Sequence, residues 1–252
     1  MPNSEYDNAH FFEEYAKMFR SQQGLPGAGE WRQFQQLFPD LQGKSVLDLG
    51  CGYGWHCKYA AQQGASRVLG IDLSQRMLAE ARRRNADPKV EYRLCGMEEY
   101  EYPADSWDCV ISNLSLHYVA DIDRVFANVA KTLKPGGIFL LNIEHPCFTA
   151  GVHQDWVYGS DGNCQALLNY VISDKCRGCT LCSKVCPAGA ISGEVRKQHH
   201  TLTQILMGLI HHGFELQAVE EAQPSPDMLD IPGMKDELRR PMMLLVRTKR
   251  RE

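Results

Sequence analysis

Residues 45–72 read "SVLDLGCGYGWHCKYAAQQGASRVLGID", and this stretch decides the fold. "SVLDLG" is a short apolar run of the kind that forms a buried strand, and "WHCKYAAQQG" looks like a helix ended by Gly64. "RVLGID" is a second strand. Strand, glycine-rich turn, helix and strand form the unit of a parallel sheet. Gly50, Gly52 and Gly54 fill the turn. Glycines there let the backbone approach a ligand, while the helix N-terminus offers free N–H groups to an anion. A dinucleotide fingerprint needs G-x-G-x-x-G, but after Gly50 and Gly52 the third glycine would fall at Trp55. No G-x-x-x-x-G-K-[ST] phosphate loop occurs either.

Working outward, the alternation continues. "SQRMLAEARRR" is a helix with Ser74 as its N-cap, "VEYRLC" and "WDCVISNL" are strands, and "DIDRVFANVAKTL" is a helix with Ile122, Val125, Phe126 and Val129 on one face. "PGG" at 135–137 predicts a turn into the strand "IFLLNIE". "TLTQILMGLIHHG" is helical, and "FELQAVEE" and "MMLLVRT" are late strands. Upstream, Phe11, Phe12, Tyr15 and Phe19 recur at helical spacing; "GLPGAGE" then breaks the chain before a short helical piece around Trp31, Phe34 and Leu37. The expectation is an α/β protein, a Rossmann-like, doubly wound, seven-stranded, mainly parallel sheet. A helical cap would span 1–40, the core 41–150, a cysteine-rich insertion or lid 151–199, and a last helix and strands 200–252.

Composition narrows the function. The chain has 252 residues, 44% hydrophobic and 23% charged, with a net charge of −4. That is ordinary for a soluble globular protein and gives no global pull toward nucleic acid or an acidic membrane. No apolar run approaches the roughly 20 residues of a membrane helix, and the acidic N-terminal stretch is wrong for a secretory signal. A cytoplasmic protein is expected.

Asp72 ends the strand "RVLGID", where an acid can accept hydrogen bonds from both hydroxyls of a ribose. Asp48, the glycines, Asp72, "DCVISNLSLHYV" and "LKPGG" follow one another in an order that resembles the class I S-adenosylmethionine (SAM) dependent methyltransferases. The wording "YAKMFRSQQGLPGAGEW", "LHYVADIDRVFANVAKTLKPGGIFLLNIEHPCFTA" and "SPDMLDIPGMKDELRRPMMLL" is similar to a bacterial, small-molecule-type subfamily. The resemblance implies that Asp48, Gly50, Cys51, Gly52 and Gly54 hold the methionine part of SAM. By the same likeness Asp72 holds the ribose with Leu73 and Met77 beside it, Met97 and Glu98 flank the adenine, and Asn113, Leu114 and Leu116 line the site. The acceptor is expected to be a small molecule. Methyl transfer from a sulfonium needs alignment, and a base only where the acceptor must lose a proton. His117 and His145, with Glu144 next to the latter, are the candidates at strand ends. The bland reading of each histidine is a packed structural residue. Tyr15, Phe11 and Tyr118 are candidates to face the cationic sulfur through their rings.

Ten cysteines fall into two groups. Six are scattered. Cys176, Cys179, Cys182 and Cys186 form C-x2-C-x2-C-x3-C followed by Pro187, which resembles one half of a bacterial [4Fe–4S] ferredoxin. The C-x3-C-x2-C pattern of radical SAM enzymes does not fit, because Cys182 and Cys186 are followed by Gly189 where a third cysteine is needed. In two-cluster ferredoxins the last cysteine binds the other cluster. A single motif therefore needs a remote thiol such as Cys164 or Cys147, a displaced Cys186, or a second subunit. A [4Fe–4S] cluster, a zinc site and no metal all remain open. A bound cluster would imply a redox partner, and the alternative function is an iron–sulfur electron-transfer or sensor protein that binds SAM without methyl transfer.

Overall fold

The computed structural model describes residues 4–150, 197–230 and 234–252, with two short strands between them. The four cysteines of the ferredoxin-like motif lie outside the described residues. The N-terminal segment forms α1 (Ala9–Lys17), α2 (Phe19–Gln23) and α3 (Trp31–Gln36). Asn8 starts α1 by accepting from the N–H groups of His10 and Phe11.

The core then runs β1 (Ser45–Leu49), α4 (Trp55–Gln62), β2 (Arg67–Asp72), α5 (Gln75–Arg84), β3 (Val90–Leu94), β4 (Trp107–Asn113), α6 (Ile122–Thr132) and β5 (Leu133–Glu144). After α7 (Pro146–Thr149) come the paired β6 (Val157–Tyr158) and β7 (Cys164–Gln165). The chain closes with α8 (Leu202–His211), β8 (Phe214–Glu221), α9 (Met234–Glu237) and β9 (Met243–Arg250). Ser74 caps α5 as expected, its hydroxyl accepting from Met77 N–H at 3.1 Å. Thr201 and Gln204 form a capping box on α8.

The main sheet has seven strands in the order β3-β2-β1-β4-β5-β9-β8. β1 to β5 are parallel, and β9 runs antiparallel to both β5 and β8. This is the expected doubly wound, Rossmann-like sheet. Strand periodicity divides its two faces. Leu47, Leu49, Leu69 and Ile71 pack with α6 and α8 residues such as Phe126 and Leu209. Val46, Val68 and Ile111 pack with Phe34 of α3, Ala60 of α4 and Leu78 of α5. Asp48 shares the second face by its position in β1.

"PGG" differs from the expected free turn. β5 already pairs at Leu133 with Trp107, then shifts register so that Ile138 meets Cys109. Pro135, Gly136 and Gly137 form the irregularity between, with Gly136 at φ +75°, so the turn is a bulge within the ladder. Strand order reverses between β1 and β4, and their C-terminal ends open a crevice where ligands bind in such sheets.

Candidate cofactor and acceptor site

The glycine turn is fixed by backbone bonds. Gly50 and Cys51 N–H both donate to Ile71 O at 2.9 Å, and Gly54 N–H donates to Cys51 O at 2.8 Å. Gly50 is glycine because a Cβ there would lie 2.5 Å from Ser115 Cβ, and its φ is +72°. Ser115 donates to Leu49 O at 2.7 Å and shares a hydrogen bond with Ser112. The β1 turn and the β4 turn are thus interlocked. Gly52 contrasts with Gly50: its φ is +52°, yet a Cβ there would meet nothing within 4 Å. Its side therefore faces open space rather than protein.

Asp72 sits beside that open space. One carboxylate oxygen accepts from Gly52 N–H at 2.9 Å and the other from Ser74 N–H at 2.9 Å. Each oxygen keeps a second lone pair, the capacity a ribose diol would use. Burial holds the Asp72 carboxyl above its ordinary range, while the Ser74 and Gly52 N–H groups pull it back down. Leu73 is 39% exposed although apolar, and its Cδ2 lies 2.9 Å from where a Cβ on Gly96 would stand. Met97 follows Gly96, with its carbonyl held by the Tyr102 hydroxyl at 2.7 Å. Leu73, Gly96 and Met97 are therefore neighbours, Glu98 is exposed beside them, and Met77 is buried in α5. The open side of Gly52, the spare acceptors of Asp72 and the exposed Leu73 fit a nucleoside with a polar tail.

Asp48 is buried, with Cys57 Sγ donating to its Oδ2 at 3.3 Å and Oδ1 unpartnered. Burial pushes its carboxyl up to about 7. Cys51 and Cys57 pack together over β2, their Sγ atoms 2.9 and 2.8 Å from where a Cβ on Gly70 would stand.

Across the crevice, Leu114 adopts φ +53° and its N–H donates to Asn142 O at 2.7 Å. Asn142 Nδ2 donates to Asn113 Oδ1 at 2.9 Å. Leu116 and His117 are buried in the turn that follows. His117 Nε2 lies 4.0 Å from Glu144 Oε1, which also takes Lys197 Nζ at 2.5 Å. His117 Nδ1 is buried without a partner, and burial lowers the imidazole to about 4. His145 occupies a different setting. Its Nδ1 accepts from Cys147 N–H at 3.1 Å as the N-cap of α7, and its Nε2 faces Glu221 of β8 at 3.1 Å. Burial lowers its affinity for a proton as well. His117 thus faces Glu144 and His145 faces Glu221, so the two histidines stand against different carboxylates.

Residues invisible to sequence reasoning complete the site. Tyr6 packs edge-on to Phe11 at 5.0 Å and Tyr15 at 5.3 Å, and its hydroxyl bonds that of Tyr118 at 2.8 Å. Asp7 accepts from Ser74 Oγ at 2.7 Å and Arg76 N–H at 3.0 Å. The N-terminal segment thus reaches both the β2 and β4 ends. Burial first, then the neighbouring phenols Tyr118 and Tyr15, raises the Tyr6 hydroxyl far above its ordinary value, with Asp72 adding a smaller push. The aromatic positions were legible at helical spacing; Tyr6 and Asp7 carry no such signal. Among the described residues, no group of three His, Cys, Asp or Glu side chains is placed to hold a metal ion. Nor is any described helix long and apolar enough to cross a membrane.

Comparison with known proteins gives this arrangement its family. The model of a methyltransferase domain matches residues 47–141, and that of a 4Fe-4S binding domain matches 169–192. The crystal structure of a putative S-adenosylmethionine dependent methyltransferase from Listeria monocytogenes is 40% identical. It covers 91% of this chain and 100% of its own, with a TM-score of 0.76. An S-adenosylmethionine dependent methyltransferase from Mesorhizobium loti is 35% identical over 90% of this chain and 100% of its own, with a TM-score of 0.77. The ubiquinone biosynthesis O-methyltransferase of Bordetella avium is 40% identical over 111 residues, which is 43% of this chain and less than half, 45%, of that one. With 40% and 35% identity and near-complete coverage of both chains, the chain belongs to the S-adenosylmethionine-dependent methyltransferases.

Proposed function

We propose that the protein methylates a small-molecule acceptor, with His117 as the base where the acceptor must lose a proton. The observation that carries this is the buried, unpartnered Nδ1 of His117, one residue from Tyr118, whose hydroxyl meets the Tyr6 hydroxyl. SAM supplies a methyl group activated on a sulfonium. The chain's own part is to hold and align: Asp72 with Leu73 and Met77 for the ribose, and Met97 and Glu98 for the adenine. Asp48 and residues 50–54 serve the amino-acid end, and Asn113, Leu114 and Leu116 form the wall toward the acceptor. Alignment of this kind supplies much of the acceleration of a displacement. His117 is neutral at pH 7 and ready to accept a proton, and Glu144 would steady the imidazolium formed. His145, engaged as a helix cap, is the weaker candidate. Calorimetric titration with SAM followed by an acceptor screen with labelled methyl tests this reading. A folded protein that fails to bind SAM would sink it.

The match to a 4Fe-4S binding domain over residues 169–192 supports a second element. Cys176, Cys179, Cys182 and Cys186 would hold a cluster, and a redox partner would then be required. The methyltransferase relatives, matched over the whole of their chains, speak for an enzyme rather than for an electron carrier that only binds SAM. Iron and sulfide analysis of anaerobically prepared protein tests it. Replacing Cys176, Cys179 and Cys182 together by Ser should remove iron and lower turnover while leaving SAM affinity nearly unchanged.

A further inference from the structure

Residues 197–200 return to the core beside His117 and are tied down on two sides. Gln198 N–H donates to His117 O at 2.7 Å. His200 Nε2 donates to Val119 O at 2.9 Å, and His199 Nδ1 shares a hydrogen bond with Thr149 Oγ1 at 2.9 Å. These bonds hold the segment against both the turn that carries His117 and α7. Lys197, next to the first anchor, is thereby delivered to Glu144 at the end of β5, with Nζ 2.5 Å from Oε1. The same Oε1 stops 4.0 Å short of His117 Nε2. The carboxylate is closed on the lysine and only approaches the imidazole.

That division matters because the setting is nearly dry. The His117 and Glu144 side chains are 3% and 10% exposed, and that of Lys197 29%, so charges there act with little screening. A carboxylate facing the imidazole alone would favour its protonated form. A base already protonated cannot take a proton from an acceptor. Lys197 opposes this twice, by compensating the carboxylate and by repelling an imidazolium. Burial is the main force against protonation of His117; Glu144 favours it, and Lys197 and then His200 oppose it. The Tyr118 ring, 4.3 Å away on the same turn, completes these surroundings.

We propose that Lys197 is a positioning residue for His117: it engages Glu144 so that the imidazole stays neutral, with Nδ1 open to the acceptor's proton. The inference deepens, and rests on, the reading of His117 as the base. NMR titration of the histidine rings in the full chain tests it, the His117 signal being identified by its loss in His117→Gln. Wild-type His117 should stay neutral down to about pH 5. Lys197→Gln should raise its midpoint by about one unit or more, and Lys197→Arg should restore wild-type behaviour. Adding Glu144→Gln to Lys197→Gln should abolish the rise, because no carboxylate is left to attract the proton. An unmoved midpoint in folded Lys197→Gln overturns the proposal, and so does a rise that persists in the double variant, the mark of loosened packing. With an acceptor found by the screen, the acid limb of kcat/KM should move up together with the NMR midpoint. A midpoint that moves while the limb stays would instead show that His117 is not the base, and the proposal would fall with that reading.

Discussion

Asp72 reaches Gly52 from 20 residues away in the chain, whereas Glu30 reaches Asn142 from 112. Both contacts lie at the same end of the sheet. The first belongs to one strand–turn–helix–strand unit, where glycine, acid and helix cap stand in an order that sequence can show. The second joins a cap to strand ends through residue types that occur everywhere. The Gly52–Asp72 side is thus local and readable, while the Glu30–Asn142 side is assembled from distant parts.

Five substitutions test the division. Gly52→Val should have the largest effect, abolishing SAM binding in a protein whose circular dichroism remains native. A Cβ at Gly52 meets no protein atom, so the added side chain would enter ligand space, and a β-branched residue at φ +52° is strained as well. Gly50→Ala should instead lower the thermal midpoint, because its Cβ meets Ser115. Normal SAM affinity in folded Gly52→Val would remove the cofactor from the glycine turn.

His117→Gln should reduce kcat by about 10²–10⁴-fold if the acceptor must lose a proton, with the SAM dissociation constant unchanged. Burial sets the imidazole at about 4. Wild-type kcat/KM should therefore stay level from neutral pH down through the ordinary histidine range and fall only as pH approaches 4. An acid limb near 6.5 would point to a different base. Asp72→Ala comes next. Losing charge-assisted bonds worth about 1.5–3 kcal/mol each should weaken SAM at least tenfold, read by calorimetry. An unchanged constant in a folded variant contradicts the ribose role.

The smallest effect concerns stability. With the Asp48 carboxyl lifted to about 7, the folded chain holds a proton between about pH 4 and 7 that the unfolded chain has released. Stability from this group therefore declines as pH rises across that window and is level above it. In Asp48→Asn the difference between urea midpoints at pH 5 and pH 8 should be narrower than in wild type. Identical differences would show that the carboxyl is not buried as a neutral acid.

The sequence by itself determined the strand–helix alternation, the cap at Ser74, the aromatic positions of the N-terminal helix, the three glycines and Asp72. Each of these rests on forces within a few residues or one repeating unit: period 2 against 3.6, a hydroxyl over a free N–H, a φ that side chains resist. Tertiary structure alone decided the rest. It inserted β9 between β5 and β8, because pairing across the chain ends leaves no local mark. It turned the Pro135–Gly137 stretch into a bulge once β5 found Trp107 as a partner before the glycines. It gave His145 to α7 and Glu221 while leaving His117 Nδ1 free, a difference set by which strand end each residue happens to face. It placed Tyr6 against Tyr118 and Glu30 against Asn142, contacts whose cost and gain depend on desolvation. Desolvation belongs to the packed molecule, and no spacing of residues records it.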